Sequence, residues 1–394
     1  MKTGIAVKCM TCTSALGRGM SAMRRALTEE RTGLVPYDCP EAPLETYVGR
    51  VADLESVTFP EGFAAFDCRN NRLAEMALGE DGFIDAAAEA VRTFGPDRVG
   101  VVLGTSTSGI GSTEQVYADH TAGAGVPSPS NFSTTHDLSS LSRFVAARLG
   151  AAGPCYTIST ACSSSTRSFS DGAQLITAGL CDAVIVGGVD SLCETSIRGF
   201  NALQLLSPGP CRPNDRNRNG ISIGEAGGFA LLTRAAADDR IVLSSIGESS
   251  DAYHMSSPHP EGKGAIAAMT AALGMAGLKA ADIGYVNMHG TGSVYNDKVE
   301  DLAIAAVLGP ETACSSTKGF SGHTLGAAGI LEAAVAVMAL ADGFIPANLN
   351  LQEVDPEIRC RIVRATEQAD LTHAMTNNFG FGGNNCVLIF SGRT

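Results

Sequence analysis

Short apolar runs that close on glycine or another small residue, each handing over to a helix rich in small side chains, recur along this chain and constrain its fold class. Val99–Gly104 (VGVVLG) and Ala183–Val189 (AVIVGGV) read as buried strands, and Tyr156–Thr160 (YTIST) as a strand leading into a helix from about Ser163 to Ala178. Apolar spacing predicts further helices over Gly82–Phe94, Leu138–Leu149 and Ala265–Ala276. The second half repeats the style. Strands are predicted over Ile241–Gly247, Ile283–Met288 and Cys314–Thr317, then a helix from about Leu325 to Leu340 and a last strand over Cys386–Phe390. Such alternation predicts an α/β fold whose mostly parallel sheets are covered on both faces. Each half holds a strand, a sharp turn and a small-residue helix, as ISTACSSS in one and CSSTKGFSGHTLGAAG in the other. The repetition points to two similar βαβ-type halves, 1–240 and 241–394, packed as one body because no Pro- or Ser-rich linker parts them. Pro208–Asn219 is the most loop-like stretch.

Composition excludes several classes. With 394 residues, 44 % hydrophobic and 18 % charged, the chain can bury a large core and is not disordered. A formal net charge of −13 disfavours general binding to nucleic acid or an anionic membrane. The N-terminus lacks the apolar core of a signal peptide. The longest apolar window, Ile330–Leu340, is short for a membrane span and carries Glu332. A cytoplasmic location is expected, and the twelve cysteines are read as free thiols. Cys9 and Cys12 form a lone C-x-x-C with no second pair, so a strand is preferred there to a zinc site.

Four motifs carry chemistry. In Thr160-Ala161-Cys162-Ser163-Ser164-Ser165 a strand-like run ends at a thiol and a helix begins. A helix N-terminus favours thiolate, and its free N–H groups can receive an oxyanion. A buried structural cysteine fits that pattern equally well. His289 follows a strand on a Gly-rich loop, VNMHGTGS, and His323 opens a helix in KGFSGHTLGAAG. A lone histidine in either place is more often structural, but two flanked by glycine can converge on one site. The turn Asn378–Asn385 (NFGFGGNN) needs glycine for close backbone approach, and its phenylalanines could shut a cleft. A plain Gly-rich hairpin would look the same.

In this order and spacing the four motifs resemble the β-ketoacyl-acyl-carrier-protein synthase I/II family. The resemblance covers nearly the whole chain and is closest over 241–394, in SSDAYHMSSP, GYVNMHGTGS, STKGFSGHTLGAAG and NNFGFGGNN. It implies a thiolase fold, with its two halves in a five-layered α-β-α-β-α arrangement. It implies a decarboxylative condensing acyltransferase with Cys162 as acylated nucleophile and His289 and His323 as enolate-stabilising groups. Lys318 would be the active-site lysine, Glu332 the glutamate that holds it, and Phe381 the gate whose N–H joins that of Cys162 in an oxyanion hole. Thr291 and Ser293 would contact the phosphopantetheine arm. His254 would sit in a loop beside the gate with Phe379 nearby, and Ile110 and Phe200 would line the acyl pocket. No metal ligand and no bound cofactor is implied, because the substrates ride on the phosphopantetheine of an acyl carrier protein.

The implied partners are that carrier protein and a second subunit, either an identical copy or a chain-length-factor-like one. Arg69 and Arg72, one turn apart, are candidates for carrier docking, although a solvated helix face reads the same. Several segments depart from the family pattern: Asn214 stands where an aromatic is common, Gly292-Ser293 where Ser-Thr is, and Asn384-Asn385 where Thr-Asn is. Val126–His136 also differs. These departures spare the condensing machinery and point toward a specialised polyketide or aryl-polyene type of pathway. Two rivals stand beside this reading. A degradative thiolase would need a second C-terminal cysteine, for which only Cys386 is placed. A non-catalytic partner subunit would lack the nucleophile.

Overall fold

The structure, a computed structural model, describes residues 4–39, 43–121 and 131–392. Part of the divergent segment 126–136, up to residue 130, therefore lies outside the described residues. Eleven strands form one sheet: β1 (Ile5–Ser14), β2 (Val99–Gly104), β3 (Cys155–Ile158), β4 (Ala183–Asp190), β5 (Ala226–Arg234), β6 (Ile241–Ser250), β7 (Tyr285–Asn287), β8 (Ala313–Ser315), β9 (Arg361–Ile362), β10 (His373–Gly380) and β11 (Asn384–Gly392). Their order is β9-β8-β7-β10-β11-β6-β1-β5-β4-β2-β3. β1 meets β6 only through Ile5↔Leu243 and Ala6↔Val242, so the sheet divides there into two blocks.

Eight of the ten longer helices among the described residues frame the site and its blocks: α1 (Arg69–Leu78), α2 (Ile110–Thr121), α3 (Ser140–Leu149), α4 (Ser164–Thr177), α5 (Glu194–Ala202), α6 (Lys263–Ala276), α7 (Val294–Val307) and α8 (Ala328–Asp342). Helices α4 and α8 touch each other, with β4 and β2 on one side and β10 on the other. α1 and α3 cover the outside of one block, and α6, backed by α7, covers the other. The five expected layers are thus present.

The middle layer works because its two helices meet through small residues, and α8 is apolar on nearly every side. A Cβ on Gly329 of α8 would fall 2.0 Å from Thr166 Oγ1 of α4, and one on Gly104 would fall 2.3 Å from the Ser165 nitrogen. Only glycine lets the two helices, and the strand beneath them, approach so closely. Residues 325–342 are long and apolar enough to cross a membrane, yet 83 % of that window is buried inside the fold. A helix apolar all round is what the centre of a large core requires.

The sheet is less parallel than expected: five of its ten neighbouring pairs are antiparallel. Parallel pairs lie in the outer parts of both blocks, where helices make the crossovers. The centre is antiparallel because β10 and β11 are joined by the three-residue turn Phe381-Gly382-Gly383, with positive φ at both glycines. So short a connection can only reverse the chain. Strands β5 (AGGFALLTR) and β10 (HAMTNNFG) have no counterpart in the sequence reading. Paired glycines hide the first and three consecutive polar residues hide the second.

Candidate active site

Cys162 sits on an elbow between β3 and α4. The bend is closed by Thr160 N–H donating to Ser164 Oγ at 2.9 Å and by Ser164 Oγ–H donating to Ala161 O at 2.6 Å. Ala161 takes φ 51°, a left-handed conformation that a non-glycine residue holds only when its surroundings impose it. The elbow leaves Cys162 at the mouth of the helix, 5 % exposed, facing a cavity of about 330 Å³.

Two histidines reach the same cavity from the other block. His289 leaves β7, and His323 follows the short turn Lys318–Ser321. His323 Nε2 lies 2.9 Å from Cys162 Sγ, and the two imidazoles meet edge to face with centroids 5.3 Å apart. One donor atom from each of the three side chains falls within 4.8 Å of the others. Behind them Lys318 is buried, its Nζ donating to the His289 carbonyl at 2.5 Å and to Glu332 Oε1. Glu332 in turn accepts Asn378 Nδ2 at 2.5 Å.

This arrangement sets the protonation of the site. Lys318 Nζ stands 3.5 Å from His289 Nδ1. An ammonium has only hydrogens to offer, so Nδ1 is the acceptor and the ring proton sits on Nε2. His289 therefore turns an N–H donor toward the cavity. Burial, reinforced by the Lys318 charge, holds both imidazoles well below their ordinary pKa and hence neutral.

Cys162 departs from expectation. Burial pushes its thiol up to about 11, against the lowering effects of Lys318 and the Phe381 backbone N–H. Desolvation outweighs the helix terminus, so the resting group is a thiol hydrogen-bonded to neutral His323.

The cavity wall contains Thr291, Ser293, His254, Phe200, Phe379 and Phe381 of the expected site. Thr291 Oγ1 donates to Ser293 Oγ at 3.1 Å, and Ser293 caps α7 by accepting Asn296 N–H. Phe381 packs against Phe200 with centroids 5.7 Å apart, and Phe379 lies 6.1 Å from the His289 ring. Lys318 and Glu332 stand behind the wall. Ile110 does not line this cavity: it begins α2, which packs against α5, the helix that carries Phe200. Cys386 lies fully buried within β11 and is not in the wall.

Arg69 and Arg72 are not a free basic pair. Arg69 grips buried Glu225 through Nε at 2.9 Å and Nη2 at 2.6 Å and also reaches Glu55, while Arg72 chelates Asp67 at 2.6 and 2.8 Å. Their charge is consumed in tying α1 to neighbouring loops.

Three carboxylates went unread in the sequence. Glu300 accepts the backbone N–H of His289 at 2.8 Å and of Gly290 at 2.7 Å, and burial lifts its carboxyl to about 7. Asp297 accepts Gly292 N–H at 3.2 Å and Asn214 N–H at 2.9 Å, joining the Thr291–Ser293 loop to the 212–219 loop. Asp190 ends β4 beside the site. The signal available for the first two was acidic spacing of three along a helix directly after the His-Gly motif. Asn214 itself is fully buried at φ 62°, a conformation asparagine tolerates far better than an aromatic does.

Residues 2–237 match the family model described as "Beta-ketoacyl synthase, N-terminal domain", and residues 241–352 match its "C-terminal domain". A "3-oxoacyl-[acyl-carrier-protein] synthase 2" of Vibrio harveyi is 30 % identical over 426 aligned positions, spanning 99 % of this chain and 98 % of that protein. Among solved structures, the "Ketosynthase (ApeO) in Complex with its Chain Length Factor (ApeC) from Xenorhabdus doucetiae" superposes with a TM-score of 0.92 at 37 % identity, covering 99 % of this chain and 98 % of the other. "The ishigamide ketosynthase/chain length factor" superposes with a TM-score of 0.91 at 26 % identity over the full length of both chains.

Proposed function

The chain belongs to the beta-ketoacyl synthase family, and from that premise we propose that it is a decarboxylative condensing enzyme in which Cys162, His289 and His323 carry the reaction. The observation that carries the assignment of roles is their convergence from two halves of the chain onto one cavity, with donor atoms within 4.8 Å of one another.

A primer acyl thioester enters past Thr291 and Ser293. Cys162 gives its proton to His323 as Sγ attacks the thioester carbonyl, and the carrier thiolate leaves and is protonated from solvent while His323 keeps the Cys162 proton. The N–H groups of Phe381 and Cys162 receive the oxyanion. A malonyl thioester then takes the vacated place. Loss of carbon dioxide moves an electron pair onto the thioester oxygen, where the Nε2–H of neutral His289 and the Nε2–H that His323 holds after taking the Cys162 proton can donate. One such well-placed donor contributes roughly 100- to 1,000-fold in rate. The resulting enolate carbon attacks the acyl-Cys162 carbonyl, forming the carbon–carbon bond and expelling the Cys162 thiolate, which takes back the proton held by His323. Lys318, held by Glu332, keeps the His289 proton on Nε2. These steps use side chains, backbone amides and the substrate's own thioester, with no bound cofactor.

For partners we propose an acyl carrier protein and a chain-length-factor-like subunit, with this chain as the catalytic half of a cytoplasmic heterodimer. Support comes from the two ketosynthase–chain length factor structures above, one more similar in sequence than the fatty-acid-type relative. The same comparison favours polyketide-type chain building over general fatty-acid elongation. Retention of Cys162 sets the chain apart from a non-catalytic subunit, and the position of Cys386 removes the second cysteine that a degradative thiolase needs.

Intact-mass and carbon dioxide assays test the roles. Cys162→Ala is expected to gain no acyl mass from acyl-carrier protein yet still release carbon dioxide from malonyl-carrier protein. His323→Ala is expected to lose at least 100-fold in carbon dioxide release. Acyl loading of Cys162→Ala, or unchanged decarboxylation by His323→Ala, would end the assignment.

A further inference from the structure

His323 must hold its imidazole still against both sulfur and substrate, yet it lies on a loop, and its backbone is pinned from two sides by different means. On the leading side, His323 N–H donates to Ser222 O at 2.7 Å and Gly224 N–H donates to His323 O at 2.9 Å, a short parallel bridge. On the trailing side the chain turns sharply through Leu325 at φ 51°, which a leucine does not adopt unless something imposes it.

That something is a fully buried carboxylate. Asp190 Oδ2 accepts Gly326 N–H at 2.5 Å and the Ser106 hydroxyl. Its Oδ1 accepts the Thr105 hydroxyl at 2.7 Å, Ser106 N–H at 2.8 Å, Thr107 N–H at 2.9 Å and the Thr107 hydroxyl at 2.8 Å. Six donors from two loops thus meet one acceptor-only group. The fit leaves no slack, since a Cβ on Gly326 would fall 2.7 Å from Asp190 Oδ2 and 2.9 Å from the Ser106 nitrogen. We propose that Asp190 is the positioning residue for His323, clamping the Leu325–Gly326 turn to the Thr105–Thr107 loop so that the imidazole is aimed for malonyl decarboxylation. The inference rests on the role assigned to His323 above.

The decisive substitution is Asp190→Asn, equal in size. Whichever oxygen becomes an amide nitrogen, it brings hydrogens to face donors, and the turn is released. Carbon dioxide release from malonyl-carrier protein and acyl loading of Cys162, which both use His323, should each fall at least 30-fold in kcat with KM within twofold, while the unfolding midpoint in denaturant should stay that of the parent. Should Asp190→Asn not fold, Gly326→Ala keeps the carboxylate but pushes the turn off it and should give the same fall in kcat at unchanged KM. His323→Ala is the control. If it leaves decarboxylation unchanged, the functional reading fails. If it cripples decarboxylation while whichever of the two clamp variants folds does not, the positioning role fails. A rise in KM beyond twofold or a lowered unfolding midpoint in the variants also overturns the proposal, because it marks general disruption of the site.

Discussion

Cys162 shows burial and reactivity pulling against one another. A helix terminus, the Phe381 N–H and the Lys318 charge favour its thiolate, but the closed site withdraws it from water and the thiol rises to about 11. The group is therefore activated on demand, by proton transfer to a neutral His323 when substrate arrives. Alkylation by iodoacetamide should accordingly climb about tenfold per pH unit from pH 7 to 9.5, because the reactive fraction grows until the pKa is reached. A plateau below pH 8 in the rate profile would show a preformed thiolate and contradict this account. The residues named from the motifs were legible because chemistry restricts them to few types. Asp190 was not: a buried carboxylate that serves backbone amides, standing alone at a strand end, has no sequence mark distinguishing it from one on the surface.

At the scale of elements, the crossing of α4 and α8 holds the two halves of the site in register. Cys162 heads one helix and His323 precedes the other, so the spacing of these helices sets the spacing of the sulfur and the ring. Gly329→Val would drive a side chain into Thr166, 2.0 Å from where its Cβ must stand. Overpacking of this kind is expected to destabilise the fold by about 2–3 kcal/mol in denaturant titration and to slow acyl loading with it. A variant as stable as the parent would mean that the helices can slide apart without consequence. Most helices and the all-apolar strands were readable from period and composition. β5, β10 and α7 were not, because their buried faces carry glycine, asparagine, aspartate and glutamate, which satisfy one another only after the chain has folded.

For the whole molecule, β3 forms one edge of the eleven-stranded sheet, with Cys155 exposed and Tyr156 and Ile158 half-buried. An edge with apolar side chains and unpaired amides invites another strand. Phe132, Tyr117 and Leu138 add exposed apolar surface. The chain is expected to associate with a related subunit in a one-to-one complex of about twice its 40.5 kDa mass when the two are co-expressed, as read by light scattering. A strictly monomeric chain at micromolar concentration in the presence of that subunit would count against the heterodimer.

The amino-acid order alone determined the fold class and the family and nominated the side chains proposed to react, because apolar period and glycine punctuation act locally and because thiol and imidazole chemistry tolerates few substitutes. Tertiary structure decided what those groups are like in place. It set the tautomer of His289 through Lys318, the neutrality of both rings, the un-ionised resting state of Cys162 and the clamp on the His323 turn. It also diverted Arg69 and Arg72 into internal ion pairs and left Ile110 outside the cavity. Each of these depends on distance and dielectric between residues far apart in the chain, quantities that exist only once the chain is packed.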